Sequence, residues 1–162
     1  MNSPTYETLF AQLDAHPESP SLSPRQPLDA ALSDAIQNSD LSPILKCGML
    51  IWNGDYQTAH PIAQALESAD GSYWHAIIHR MEADYWNAKY WFKQVSNQGA
   101  DHAVLRMLGT LPEAKPFLIG GKWSPAAFVD ACERVAGQSL NDELLRKLQR
   151  IEIKALLTHC HG

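Results

Sequence analysis

The sequence predicts an all-α fold, a compact bundle of about eight or nine helices built from antiparallel helical hairpins, on three observations. Apolar residues recur at i, i+3 and i+4 in segment after segment. Ser-Pro pairs and aspartates stand where helices would start, and Asn-Gly, Asp-Gly or a lone Gly where they would stop. No segment shows the sustained alternation of a half-buried strand.

Taken in order, Ser3-Pro4 reads as a cap followed by proline in a first helical turn, with Leu9, Phe10 and Leu13 as the apolar stripe. Residues 17–27, PESPSLSPRQP, contain four prolines and predict a linker or an extended wrap. Leu28, Leu32 and Ile36 recur at i, i+4 and i+8 and predict a second short helix. Residues 1–41 thus read as an acidic, proline-rich arm with short helices, and residues 42–162 as the helical core of a single domain.

Ser42-Pro43 opens a helix through Ile44, Leu45, Gly48, Ile51 and Trp52, closed by Asn53-Gly54. Asp55 caps the next, with Ala59, Ile62, Ala63 and Leu66 inward. Pro61 lacks the N–H that would bond the Gln57 carbonyl and predicts a kink or a late start near His60. Asp70-Gly71 reads as a turn, Ser72 as the cap of a helix with Trp74, Ile77, Ile78 and Met81 inward, and Asp84 as the cap of its successor. That successor carries Tyr85, Ala88, Trp91, Phe92 and Val95 inward and is stopped by Asn97-Gln98-Gly99. Asp101 is read as capping a shorter helix. Leu111 to Trp123 is a long connection bearing proline and glycine. Ser124-Pro125 opens a helix through Phe128, Val129, Cys132 and Val135. The last helix starts at Ser139-x-x-Asp142 and carries Leu144, Leu145, Leu148, Ile151, Ala155 and Leu156.

Composition narrows the class. A chain of 162 residues with 45% apolar residues builds a real core. A formal charge of −5 argues against nucleic acid or an anionic membrane as a partner. Six carboxylates stand in residues 1–40 against Arg25 alone, which reads as a solvated acidic region. Cys47, Cys132 and Cys160 are odd in number and lack CxxC spacing, which suits a reducing cytoplasm. Residues 1–16 show no basic region followed by an apolar run, so no signal peptide is expected. The most apolar stretch, Ile44 to Trp52, is too short to span a bilayer.

The chemistry concentrates between Ser72 and Val95, SYWHAIIHRMEADYWNAKYWFKQV, which holds half of the aromatic residues. His75 and His79 are one helical turn apart and Glu82 three residues further on, so all three project from one face. Two imidazoles at i, i+4 chelate a divalent metal (zinc, iron, manganese or copper), and a carboxylate completes or orients the set. A third ligand would come from His60, Glu67 or His102. The structural alternative makes His75 and His79 amphipathic side chains at a helix seam, hydrogen-bonded to carboxylates or carbonyls. Arg80 and Asp84, also at i, i+4, together with Glu82, Asn87 and Lys89, form a second constellation. It reads as a polar network locking the interhelical turn or as a site for a small polar or anionic ligand. Tyr85, Trp86, Tyr90 and Trp91 read mainly as core and seam. Gly120-Gly121-Lys122 is no P-loop, because Pro116 and Trp123 occupy positions that need Gly and Ser or Thr. Cys132 reads as core, and His159-Cys160-His161 as an adventitious ligand at the end of the chain.

Asp55-Tyr56-x-x-Ala59 and Asp84-Tyr85-x-x-Ala88 match at an offset of 29 residues, and Leu66 and Val95 share that offset. This segment resembles the tetratricopeptide class of helical-hairpin repeats, whose period is somewhat longer. Ser72 to Phe92, with Trp123 to Glu133, also resembles a family of uncharacterised all-helical bacterial and fungal proteins. The shared pattern is SYWH…HR.E.DY.NAKYWF. That resemblance implies a helical fold and an important segment here, and implies no reaction. Two functional expectations follow. The first is a non-enzymatic binding or scaffold module with an aromatic and polar cleft near residues 72–95, taking an unknown protein or small polar ligand. The second is a metal-binding protein or metal-dependent enzyme using His75, His79 and Glu82.

Overall fold

The computed structural model describes residues 2–95, 99–138 and 142–162. Asn97, Gln98 and Ser139, read above as a helix stop and a cap, lie outside them. Helix occupies 67% of the described residues, and the sheet among them is a ribbon of two two-residue strands, so the fold is all-α. The helices are α1 (Tyr6–Ala15), α2 (Ala30–Gln37), α3 (Pro43–Trp52), α4 (Tyr56–Gln64), α5 (Ala69–Met81), α6 (Tyr85–Gln94), α7 (Ala100–Leu108), α8 (Pro125–Arg134) and α9 (Glu143–His161). Between α7 and α8, the stretch read as a loop folds into a short 3-10 helix, Pro112–Phe117, and the antiparallel strands β1 (Leu118–Ile119) and β2 (Lys122–Trp123).

Two helices form the centre. In α3 every residue from Cys47 to Trp52 is buried, and in α5 every residue from Tyr73 to Ile78. A helix apolar on all sides must be packed on all sides. Accordingly α3 touches α1, α2, α4, α5 and α9, while α5 touches α3, α4, α6 and α7. Gly48 makes the close approach possible: a Cβ there would strike the Trp74 ring of α5 and stand 2.9 Å from the Leu157 Cδ1 of α9. Leu9 and Leu13 of α1 and Leu32 and Ile36 of α2 join the same core. Asn53 ties the arm down, its buried amide donating to the Asp29 carbonyl at 2.8 Å and to the Ser33 hydroxyl at 2.8 Å.

Three starts differ from the sequence reading, and at a fourth the Asp55 cap holds against the late start that Pro61 suggested. Thr5, not Ser3, caps α1, its Oγ accepting from the Thr8 N–H. Helix α4 begins at Tyr56 and runs through Pro61 rather than starting late. Helix α5 begins at Ala69, because Ser68 accepts from the Gly71 N–H at 3.0 Å, so Asp70-Gly71 is a first helical turn and Ser72 lies inside the helix. Asp101 sits in the first turn of α7, which Gly99 precedes as N-cap.

The 29-residue repeat survives in three dimensions. In α3–α4, Gly54 N–H bonds the Ile51 carbonyl and Asp55 N–H the Leu50 carbonyl; in α5–α6, Ala83 N–H bonds Arg80 and Asp84 N–H bonds His79. Both are Schellman closures, and both aspartates then cap the second helix. Position 54 is a glycine at φ +78°, but its counterpart Ala83 holds φ +60°. An L-residue in that region costs about 1–2 kcal/mol. Glycine's greater freedom in the unfolded chain offsets about half of the relief. Ala83→Gly is therefore expected to stabilise the protein by about 0.5–1 kcal/mol in urea unfolding; an unchanged or lower midpoint would show that this exposed turn carries no strain.

Candidate metal centre

Two helices bring the site together. Helix α4, started by Asp55, carries His60; α5 carries His75 and His79 on the face turned toward α4; Glu82, the C-cap of α5, keeps helical backbone angles and so stays beneath His79. His60 and His75 face each other with their Nε2 atoms 3.2 Å apart. His60, His75 and His79 each offer one nitrogen, all within 4.8 Å of one another. Nitrogens bound at the usual zinc distance to a tetrahedral ion lie roughly 3.3 Å apart. The His60–His75 pair already has that spacing, and the widest pair has to close by at most about 1.5 Å, within reach of side-chain rotation.

Glu82 orients two of the rings. Its Oε1 lies 3.1 Å from His60 Nδ1 and its Oε2 3.3 Å from His79 Nδ1. Neither contact is an aligned hydrogen bond, yet a carboxylate beside both Nδ1 atoms favours a proton there and leaves the Nε2 atoms as acceptors, that of His60 toward His75 Nε2. In the first hairpin the matching position is Asn53, which anchors the arm. One turn position thus serves an anchoring role in one copy and an orienting role in the other.

Burial, with the neighbouring His79 and His60, pushes the His75 pKa down to about 4. Burial also lowers that of His79, Glu82 and Asp84 opposing and His60 adding to the effect. His75 is held neutral at pH 7, the protonation state a metal requires. It stacks on Trp91, ring centroids 4.1 Å apart, and on His79 at 4.8 Å. The His60 and Glu82 side chains keep about a quarter of their surface in solvent (25% and 27%), so one side of the cluster is open.

The structure therefore joins His75, His79 and Glu82 as the helical spacing required, and of the three proposed completing residues it supplies His60. It does not bring Arg80, Glu82, Asp84, Asn87 and Lys89 into one cleft. Arg80 is buried and turned to α9, where Nη2 donates to Glu152 Oε1 at 2.6 Å and to Gln149 Oε1 at 3.2 Å. Asp84 accepts from the Asn87 amide at 2.6 Å within the cap of α6, and Lys89 donates to Asp130 of α8 at 2.9 Å. The buried network continues: Tyr73 donates to Glu152 Oε2 at 2.8 Å and Trp123 Nε1 donates to the Tyr73 hydroxyl at 2.9 Å. Gln149 and Glu152 went unnoticed in the sequence. Their signal was position, two polar residues on the stripe of Leu145, Leu148 and Leu156. Trp86 and Tyr90 are exposed at 73% and 46%, against the reading of core and seam. Cys132 is buried in the core, its pKa pushed up to about 11 by burial. His159 and His161 diverge, one to Asp70 and the other stacked on Tyr6. No helix among the described residues is long and apolar enough to cross a membrane.

Comparison with known protein families, with curated proteins and with solved structures finds no match to this chain.

Proposed function

We propose that the protein binds a divalent transition metal through His60, His75 and His79, with Glu82 as the carboxylate that orients two of the rings. The observation that carries this reading is the convergence of three imidazoles from two helices onto a space the size of a metal coordination sphere. His75 is buried beside the two other imidazoles, which with burial keep it neutral and so able to ligate a metal. Three nitrogen ligands with an open side are the donor set of water-activating zinc rather than of closed structural sites, so the chemistry such a centre would supply is polarisation of a bound water or carbonyl. The resemblance to uncharacterised helical proteins adds no reaction to this. A second reading, a non-enzymatic binding module, is supported by the exposed Trp86 and Tyr90 of α6 and does not depend on the metal.

The test is metal analysis of untagged protein after stripping and dialysis against micromolar zinc or cobalt(II). The expected result is one equivalent per chain, with a tetrahedral cobalt spectrum, lost in His60→Ala and in the His75→Ala/His79→Ala pair while circular dichroism stays helical. A full equivalent retained by His60→Ala, or no metal above the triple variant His60→Ala/His75→Ala/His79→Ala, overturns it.

A further inference from the structure

On the other side of α6 the same helix builds a second cavity. Trp86, Lys89, Tyr90 and Lys93 follow one another at i, i+3, i+4 and i+7 and therefore share a face. That face, with Lys122 of β2 and the buried Trp123, lines a cavity of about 650 Å³, within the range of small-molecule sites.

Three features define what fits. Trp86 and Tyr90 are nearly parallel, 11° between planes and 6.0 Å between centroids, and both are exposed, so they offer flat surface to a planar ring. Lys89 is paired with Asp130, but among the described residues no carboxylate lies within ion-pair distance of Lys93 or Lys122. The lining contains a single acid, Asp101, so it remains positive on a chain whose net charge is −5. The floor is rigid, because Trp123 is fixed through Tyr73 to the buried Glu152–Arg80 pair. We propose that this cavity binds a small planar aromatic anion, a carboxylate or a phosphate monoester, its ring against Trp86 and Tyr90 and its charge between Lys93 and Lys122. The site is independent of the metal centre, which Trp91 flanks from the opposite face of α6.

Titration calorimetry on the full chain tests this with naphthalene-2-carboxylate, 2-naphthyl phosphate and the uncharged 2-naphthamide. The anion with the matching head group is expected to bind one per chain, about tenfold tighter than the amide, the gain that two exposed charge contacts supply. The variant Lys93→Ala/Lys122→Ala should remove that difference, and Trp86→Ala should weaken all three compounds; both change exposed side chains and leave the fold intact by circular dichroism. Which anion binds tighter identifies the head group. Equal affinity for amide and anions, anion binding untouched by the double lysine variant, or no saturable binding to any of the three overturns the proposal.

Discussion

Glu152→Gln is expected to lower the unfolding free energy by about 3–5 kcal/mol. The side chains of Arg80 and Glu152 are both fully buried, and the carboxylate meets the guanidinium with both oxygens, at 2.6 and 3.3 Å. Burial works against the charge on Arg80, and the Glu152 carboxylate, with Cys132 and Tyr73, outweighs it and leaves its pKa raised. Glutamine keeps the shape and one acceptor but removes the compensating charge, so the guanidinium is left in the core with neutral amides and the Phe128 ring, 4.7 Å away. Urea unfolding followed by circular dichroism measures the loss. The comparison that separates pairing from packing is Arg80→Met/Glu152→Leu, expected to recover most of the loss, since removing both charges ends the desolvation penalty. If Glu152→Gln unfolds within about 1 kcal/mol of the parent, water reaches the pair and screens it as at the surface.

The same pair shows where sequence reasoning reached its limit. Arg80 and Asp84 stand at i, i+4 and read as neighbours, but that rule holds only along an unbroken helix. Helix α5 ends at Met81 and Ala83 turns left-handed, so Asp84 caps the next helix while Arg80 follows Tyr73 and Ile77 into the interior. His79 and Glu82 obey the spacing rule because Glu82 is still helical. The 29-residue repeat was legible because turn chemistry is local: a C-cap, a left-handed residue and a capping aspartate are all written in consecutive positions. His60 could be named as a ligand and not chosen over Glu67 or His102, because its approach to His75 depends on how α4 crosses α5, and Pro61 suggested a later start than the helix has. The ligand face of α6 was missed, because Trp86 and Tyr90 at helical spacing read as core and seam, and only exposure separates a ligand surface from a seam.

The last expected result joins protonation to the metal. In chelator, the unfolding free energy attributable to the histidine cluster should fall by about 2 kcal/mol between pH 6.5 and 4. His75 has its folded pKa at about 4 and its ordinary value at 6.5. Above 6.5 neither state is protonated and the contribution is fully present. As pH falls below 6.5 the unfolded chain takes up a proton that the buried ring refuses until about 4, so stability is lost across that window. The full separation would be worth at most about 3 kcal/mol, and the open side of the cluster reduces it to about 2; the lowered pKa of His79 acts in the same direction. Other carboxylates titrate in this range, so the measured quantity is the difference between the parent and His75→Gln, which should lose the acid-sensitive component. Zinc then supplies the counter-test. At 100 times its dissociation constant it should add about 2.7 kcal/mol at pH 7. That gain should vanish in His60→Ala, and it should fade toward pH 4 as protons compete for the same nitrogens. A zinc gain indifferent to His60 would place the metal elsewhere than these three rings, and an acid loss equal in His75→Gln would show that burial does not hold His75 neutral.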